Sequence, residues 1–336
     1  MVESPSSTVS FRPAPFLRNP HLQTIVASQL HSRPPPSETG VVDLKDGEQL
    51  AVEVSTPPNW DSKQRSVVLI HGLCGCHGSP YMVRIARKLY ESGIRAVRMN
   101  QRGCGTGEGL ARLPYHAGRS DDLLDVLRVL RRSAPDSSVG GVGFSLGGNL
   151  ALKLAGEIEA GEGLERVIAV CPPVNLLSCA YLISLPSARL YDQYFVRLLR
   201  QRVEERHKRF PELGRVELPE RLTLYDFDDI YTAPQCGFRG AMDYYRKSSA
   251  AALLADADIP CRILFAQDDP FIDAHALDDV RLPSSVEVVR TRHGGHLGFL
   301  GNGGRSLGYH WMDGQVLRWI HSGERASLSQ PKLLQI

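Results

Sequence analysis

Short apolar segments alternate with amphipathic segments along most of the chain, a pattern typical of strands that alternate with helices. Fully apolar segments predict strands that are buried on both faces of a parallel sheet. Segments with apolar residues every three or four positions predict helices with one face toward a core. The pattern therefore predicts an α/β fold with a mostly parallel central sheet and helices on both faces. The strands are predicted at Ser66–Ile70, 94–99, Val139–Phe144, 167–170, Cys261–Ala266 and Val286–Thr291, and the helices at 81–92, 121–132, 146–157, 274–280 and 312–321.

Two parts of the chain depart from this alternation. Residues 41–44 and 50–54 flank the turn-forming pair Asp46-Gly47 and predict an antiparallel hairpin. Residues 176–250 carry helix-like sequence, most clearly at 190–208, but no clear parallel strand. We expect this part to be a helical cap inserted over the carboxyl ends of the strands.

The remaining domain organisation follows from these predictions. We expect one α/β domain over residues 41–325, with the cap inserted at about 176–250. Residues 1–40 are predicted to be an N-terminal extension that packs on the core, with about the first ten residues flexible. Residues 326–336 are predicted to be a C-terminal tail. Within the extension, residues 19–25 have no chemical interpretation, and we expect a helix or loop that packs over the core.

Composition narrows the classes of partner and compartment. The chain has 336 residues, 42% of them hydrophobic, and a net charge of +2, which argues against a nucleic-acid partner. The seven cysteines are odd in number and scattered, so they predict reduced thiols and a cytoplasmic location. No segment approaches the roughly 20 apolar residues that a membrane span needs. We therefore expect at most peripheral membrane contact, and the oligomeric state is not indicated.

The strongest chemical signal is a serine between two glycines, Gly143-Phe144-Ser145-Leu146-Gly147, at the junction of a predicted strand and a predicted helix. This is the pattern of a nucleophile elbow, in which a tight turn exposes the serine hydroxyl at the carboxyl end of a sheet. Side chains at positions 143 and 147 would collide across such a turn, so glycine is needed at both. Ser145 is therefore the predicted nucleophile.

A serine nucleophile needs a base to take its proton and an acid to orient that base. The expected chain order is serine, acid, histidine, and candidate residues follow two later strands in that order. Of the pair Asp268 and Asp269, we select Asp269, because Pro270 fixes the turn after it, and expect Asp268 to be solvated or to cap a turn. Of the pair His293 and His296, we select His296, because two glycines before it let the ring reach the serine.

Two backbone amides are expected to bind the negative oxygen that develops during attack on a carbonyl. One is the amide of Leu146, directly after the serine. The other is expected in residues 71–75, which follow the strand Ser66–Ile70 and which we call the oxyanion loop. We select the Leu73 amide, with Gly72 allowing the backbone to turn inward.

Other chemical patterns are weaker. Cys74 to His77 could suggest a metal site or a cysteine nucleophile, but no second ligand pair follows at zinc spacing. His293 and His296 resemble two metal ligands but lack a helix to align them. The glycine-rich residues 103–109 fail the dinucleotide-binding pattern, because Glu108 stands where the third glycine is required. We therefore expect no metal and no cofactor.

Several longer segments form a family pattern: residues 19–25, 71–73, 100–104, 143–149, 227–234, 237–238, 269–271 and 294–299. In these segments the chain resembles the YheT-like hydrolases, which include bacterial proteins and eukaryotic abhydrolase-domain lipases. The resemblance implies an α/β-hydrolase domain with a cap and a Ser145–Asp269–His296 triad. It also implies hydrolysis of carboxylic esters, in some relatives of acylglycerols or phospholipids. Gln101 departs from the histidine of many relatives, which we expect to affect loop packing and not chemistry.

These observations predict a serine hydrolase that cleaves small-molecule acyl esters through an acyl-enzyme. Two alternatives remain. An acyltransferase would use the same three residues with an alcohol in place of water. A hydrolase fold could also serve as a non-catalytic binding module, although binding alone does not require all three side chains.

Overall fold

The computed structural model describes residues 6–159, 163–302 and 309–322. The strands in these ranges form one nine-stranded sheet. They are β1 (Ser6–Thr8), β2 (Glu38–Asp43), β3 (Gln49–Ser55), β4 (Ser66–Ile70), β5 (Arg95–Met99), β6 (Val139–Phe144), β7 (Arg166–Val170), β8 (Cys261–Ala266) and β9 (Val286–Thr291).

The sheet is parallel except at one edge. Its strand order is β1-β9-β8-β7-β6-β4-β5-β3-β2, and every pair from β1 to β5 along this order is parallel. β3 pairs antiparallel with both β2 and β5, which confirms the predicted hairpin. Because parallel strands share one carboxyl edge, the residues that follow β4, β6, β8 and β9 meet on the same side of the sheet.

The helices cover both faces of this sheet. Alternate residues of β4 enter different cores: Val68 and Ile70 join one apolar cluster, and Val67 and Leu69 join the other. This is the period of two that a strand imposes on its side chains. The first cluster includes α3 (Ser120–Ser133) and α4 (Leu146–Ala155), and the second includes α2 (Pro80–Glu91) and α10 (Trp311–His321). The predicted α/β architecture is confirmed.

Between β7 and β8 the chain forms helices and no strand, and we call residues 176–250 the cap segment. The two longest of its helices come first after β7 in the chain and contact each other. Across the described ranges, every helix lacks the length or the apolar composition that a membrane span requires. The cap segment contains α5 (Leu176–Ser184), α6 (Arg189–Arg209), α7 (Leu224–Phe227), a π-helical turn (Asp228–Thr232), α8 (Ala233–Gln235) and α9 (Ala241–Ser248).

Two sequence-based expectations differ from the structure. Residues 274–280 form successive turns and not a helix, because the amides of residues 276, 278 and 280 each bond to the carbonyl three positions earlier and no i→i+4 series forms within this described range. Arg290 Nε also binds the Ala274 carbonyl at 2.8 Å. Ser6–Thr8 were expected to be flexible but pair with β9, which would otherwise present an unpaired edge. Residues 1–5 and the predicted tail at 326–336 lie outside the described residues.

Candidate active site

Ser145 lies at the sharp turn between β6 and α4. Its backbone has φ 51° and ψ −125°, a left-handed region that non-glycine residues rarely occupy. A Cβ atom at Gly143 would collide with the backbone of Gly147, and one at Gly147 would collide with the carbonyl oxygens of Ile70 and His71. Glycine at both positions therefore lets the chain make this turn, as the sequence pattern indicates. The strained geometry holds the Ser145 side chain beyond the carboxyl edge of the sheet.

The structure brings the three residues of the predicted array together, although they are far apart in the chain. Ser145 Oγ lies 3.0 Å from His296 Nε2, and His296 Nδ1 lies 2.8 Å from Asp269 Oδ2. A carboxylate can only accept, so Nδ1–H donates to Asp269 and Nε2 is left to accept from the serine hydroxyl. The side chains of His296 and Asp269 are 8% and 1% exposed, so water competes little for these bonds.

Asp269 and His296 are each held by further contacts. Asp269 Oδ1 accepts hydrogen bonds from the amides of Phe271 at 3.2 Å and Ile272 at 3.1 Å, which leaves Oδ2 directed at the histidine. The Phe271 ring packs on the imidazole with 4.3 Å between ring centres. The sequence marked Phe271 only as part of a family segment, and its contact with the histidine could not be read from it.

The residues that were not selected form a second pair beside the first. Asp268 Oδ2 lies 3.2 Å from His293 Nδ1, and Asp268 Oδ1 accepts a hydrogen bond from the Gly295 amide at 2.9 Å. The expectation that Asp268 is solvated or caps a turn is therefore incomplete: it joins the loop after β8 to the loop that carries His296. In the described part of the chain, neither side chain forms a hydrogen bond with Ser145.

The predicted oxyanion donors have no competing acceptor. Within the described ranges, neither the Leu73 amide nor the Leu146 amide donates a hydrogen bond to another protein atom. The amides on both sides of Leu73 are occupied, because Gly72 donates to Tyr81 Oη at 3.0 Å and Cys74 donates to Tyr115 Oη at 2.8 Å. A Cβ atom at Gly72 would lie 3.0 Å from Ser145 Cβ, so the oxyanion loop runs directly beside the serine.

Residues outside the loop hold it in this position. Arg202 on α6 donates to the carbonyls of Cys74 at 3.0 Å and Gly75 at 3.1 Å. Gln101 Nε2 donates to the carbonyl of His71 at 2.8 Å, which agrees with the expectation that Gln101 affects loop packing. Burial lowers the pKa of His71 to about 3, so this ring is neutral and structural. The sequence did not indicate that Arg202 reaches the loop.

A cavity between the cap segment and the sheet contains Ser145 and both proposed donors. Its wall combines apolar side chains with several charged ones. The charged residues are Arg102, Glu108, Arg202, Glu205, Arg206, Arg209 and Asp228, and the apolar ones include Leu73, Leu146, Leu176, Ile183, Phe195, Leu199, Val203, Phe227 and Ile272.

Asp228 is an unusual member of this cavity wall. It begins the π-helical turn, a rare local structure that is frequent at functional sites. Its Oδ2 accepts a hydrogen bond from Tyr245 Oη at 2.8 Å, and burial raises the pKa of its carboxyl to about 6. Residues 227–234 belong to the family pattern found in the sequence, but nothing in that pattern indicates that the Asp228 carboxyl lies in the cavity.

A metal site at the array is poorly matched by its donors. Among the described residues, Cys171, Asp269 and His296 present ligand atoms within 4.8 Å of one another. Asp269 and His296 are already hydrogen-bonded to each other, and the other histidine nitrogen faces Ser145. Burial raises the pKa of the Cys171 thiol well above its usual value, so the thiolate that metals bind is disfavoured.

Comparison with known proteins identifies the family. A family model described as alpha/beta hydrolase fold matches residues 65–302. The chain belongs to the alpha/beta hydrolase family. The solved structure of the esterase Pf2001 from Pyrococcus furiosus superposes with a TM-score of 0.55 at 13% identity, covering 94% of this chain and 98% of that chain, and this likeness supports the fold alone.

Two relatives are informative at the level of sequence. The Escherichia coli (strain K12) protein named "Putative esterase YheT" is 29% identical over 323 residues, which cover 94% of each chain. "Phospholipase ABHD3" of Mus musculus is 26% identical over 306 residues, covering 88% of this chain and 74% of the relative. The resemblance to YheT-like hydrolases is confirmed, and the chain groups with the esterase- and lipase-type members of the α/β-hydrolase family.

Proposed function

We propose that the chain is a serine hydrolase that cleaves carboxylic esters through Ser145, Asp269 and His296. The observation that carries the proposal is the continuous series of hydrogen bonds from Ser145 Oγ through His296 to Asp269, at 3.0 and 2.8 Å. Ser145 also lines a cavity beside the Leu73 and Leu146 amides, which donate to no other protein atom within the described residues. This combination supplies a nucleophile, a base, an orienting acid and an oxyanion site.

In the first step, Ser145 Oγ attacks the acyl carbonyl carbon while His296 Nε2 takes the hydroxyl proton. The carbonyl electron pair moves to the oxygen, which the Leu73 and Leu146 amides stabilise. Asp269 stabilises the imidazolium that forms and keeps its ring in place. The imidazolium then protonates the leaving alcohol, and the acyl group stays on the serine.

In the second step, water takes the place of the departed alcohol. His296 removes a proton from the water as its oxygen attacks the acyl-enzyme, and the same two amides hold the new oxyanion. Collapse of this intermediate returns the proton to Ser145 and releases the carboxylic acid. The reaction requires no cofactor, because neither step oxidises or reduces the substrate.

The cavity supports an ester with a substantial apolar part. Leu146, Leu176, Ile183 and Phe227 line it, and each buried methylene of a substrate is worth about 0.8 kcal/mol. The names of the relatives, an esterase and a phospholipase, also support acyl esters, including lipid-type esters. We propose acylglycerol-type molecules as one substrate class, in a cytoplasmic location that rests on the seven reduced cysteines predicted from the sequence.

A chain-length series of p-nitrophenyl esters tests this proposal. We expect hydrolysis by the wild type, and losses of roughly 10⁴-fold in kcat for Asp269→Asn and at least as much for His296→Ala. His293→Ala is the matched control and should lose far less. Full inactivation by His293→Ala with an active His296→Ala would overturn the assignment of the base. Product analysis with an added alcohol distinguishes hydrolysis from acyl transfer, because transfer would yield a new ester in place of the acid.

A further inference from the structure

The N-terminal segment that lacked a chemical interpretation forms a short helix, α1 (Pro20–Gln29), with a well-defined start. The Asn19 side chain accepts hydrogen bonds from the amides of His21 at 2.9 Å and Leu22 at 3.2 Å. Pro20 occupies the first helical turn, where its missing N–H costs nothing. These contacts fix the start of α1, and therefore the position of the two residues that follow Leu22, which are Gln23 and Thr24.

The first of these residues, Gln23, is fully buried and ties α1 to the chain just after His296. Its Nε2 donates to the carbonyls of Leu17 at 2.6 Å and Leu300 at 2.9 Å, and its Oε1 accepts from the Leu300 amide at 2.7 Å. A buried amide with this many partners acts as a cross-link, because every bond lost would leave a polar group without water.

The second residue, Thr24, contacts the histidine itself. Its Oγ1 accepts a hydrogen bond from the backbone N–H of His296 at 2.9 Å and donates to the Pro20 carbonyl at 2.8 Å. The proposed base is therefore attached at its backbone to α1, while its ring is attached to Asp269 and Ser145.

The loop that carries His296 needs such support. Leu297 and Phe299 both have positive φ, at 58° and 44°, which costs energy in residues with a side chain. A Cβ atom at Gly298 would lie 2.8 Å from the backbone of Gln23, and one at Gly295 would collide with the Pro20 carbonyl. The helix thus packs against the loop at distances that only glycine permits.

A row of rings makes a second connection from α1 to the imidazole. The His21 ring stacks on Tyr191 with 5.8 Å between ring centres, and its Nδ1 lies 3.0 Å from Tyr191 Oη. Tyr191 packs on Phe271 at 5.1 Å, and Phe271 packs on His296 at 4.3 Å. Helix α1 therefore contacts the backbone of His296 directly and its ring through Tyr191 and Phe271.

We propose that α1 is a working part of the active site, in which Thr24 and Gln23 are positioning residues for His296. This inference rests on the proposed function. If Thr24 loses its hydroxyl, the His296 amide has no acceptor and the strained loop relaxes away from α1. A shift of about 1 Å in a catalytic group can cost about 10²-fold in rate.

The test compares Thr24→Val, which keeps the shape of the side chain but removes the acceptor, with Thr24→Ser, which keeps the acceptor. Ser28→Ala is the matched control, because Ser28 lies on the same helix and is exposed, and its hydroxyl bonds within the described residues only to the Ile25 carbonyl and the neighbouring Gln29 side chain. We expect Thr24→Val to lower kcat by about 10- to 100-fold with KM changed less than about twofold. Thr24→Ser should recover most of the loss, and Ser28→Ala should match the wild type.

Gly298→Ala is a second variant that leaves Thr24 in place. Its Cβ atom would lie 2.6 Å from the Gly294 carbonyl oxygen and 2.8 Å from the Gln23 backbone, so it should displace the loop from α1 and lower kcat in the same way. The proposal is overturned if Thr24→Val keeps wild-type kcat, or if Thr24→Ser is as impaired as Thr24→Val. It is equally overturned if the fraction of activity that Thr24→Val loses equals the fraction of that variant that circular dichroism shows to be unfolded. A wild type that neither hydrolyses esters nor reacts with a fluorophosphonate would instead refute the proposed function, so the two failures are distinguishable.

Discussion

The carboxyl group of Asp228 should make the protein less stable at neutral pH than it would be with a neutral side chain at that position. Burial raises the pKa of Asp228 from its ordinary value of 3.8 to about 6. The folded state therefore keeps this proton up to about pH 6, whereas the unfolded chain releases it near pH 4. The contribution of the group to stability is present at low pH and is lost as the pH rises through the folded pKa.

The size of the effect follows from the same two pKa values. The rise from 3.8 to about 6 corresponds to roughly 3 kcal/mol of unfolding free energy once the group is ionised in both states. Asp228→Asn removes the charge and keeps an oxygen that can accept from Tyr245. We expect the variant to be more stable than the wild type by up to roughly 3 kcal/mol at about pH 7.5, and by less than about 1 kcal/mol at about pH 4.

Urea unfolding of both proteins at these two pH values measures the prediction, because effects of other titrating groups cancel in the difference. Asp279→Asn is the control, since that residue is exposed and should leave the difference near zero at both pH values. A stability difference between wild type and Asp228→Asn that does not grow with pH would refute the reasoning. A variant that is less stable at about pH 7.5 would refute it as well.

Three further predictions concern the surroundings of the elbow and are all measured as kcat on a p-nitrophenyl ester, with circular dichroism to verify folding. Gly72→Ala places a Cβ atom 3.0 Å from that of the elbow serine, so it should displace the oxyanion loop and lower kcat by about 10²-fold; wild-type kcat would contradict this. Arg202→Met removes the donors to the loop carbonyls and should lower kcat at least about tenfold, whereas Arg200→Met on the same helix, whose bonds go to residues 218–220, should not. Asp268→Ala frees the loop that carries the histidine and should reduce kcat by less than Asp269→Asn does; the reverse order would show that the acid is misassigned.

The sheet, and the proximity of Ser145, Asp269 and His296, could be predicted because the signals for them are local in the sequence. β4, β6, β8 and β9 have the bounds that their apolar residues indicate. In a parallel sheet, residues that follow neighbouring strands meet at one edge, so strand order alone brought Asp269 and His296 toward Ser145.

The supporting contacts could not be predicted, because each depends on where distant segments pack. Gln23 binds Leu300, which is 277 positions later in the chain, and nothing at either position indicates the other. Asp228 is unusual only because a π-helical turn places it beside Tyr245 in a cavity. The turns at 274–280, predicted as a helix, also contact a distant residue, since Arg290 of β9 donates to the Ala274 carbonyl.

The central claim is that Ser145 is a nucleophile activated by His296. Reaction with a fluorophosphonate followed by peptide mass spectrometry tests it most directly, because the reagent reacts much faster with an activated serine than with an ordinary one. The account predicts one modified peptide in the wild type, with the label on Ser145, and no label in Ser145→Ala or, at comparable reaction times, in His296→Ala. An unlabelled wild type, or a Ser145→Ala variant labelled as fast as the wild type, would contradict it.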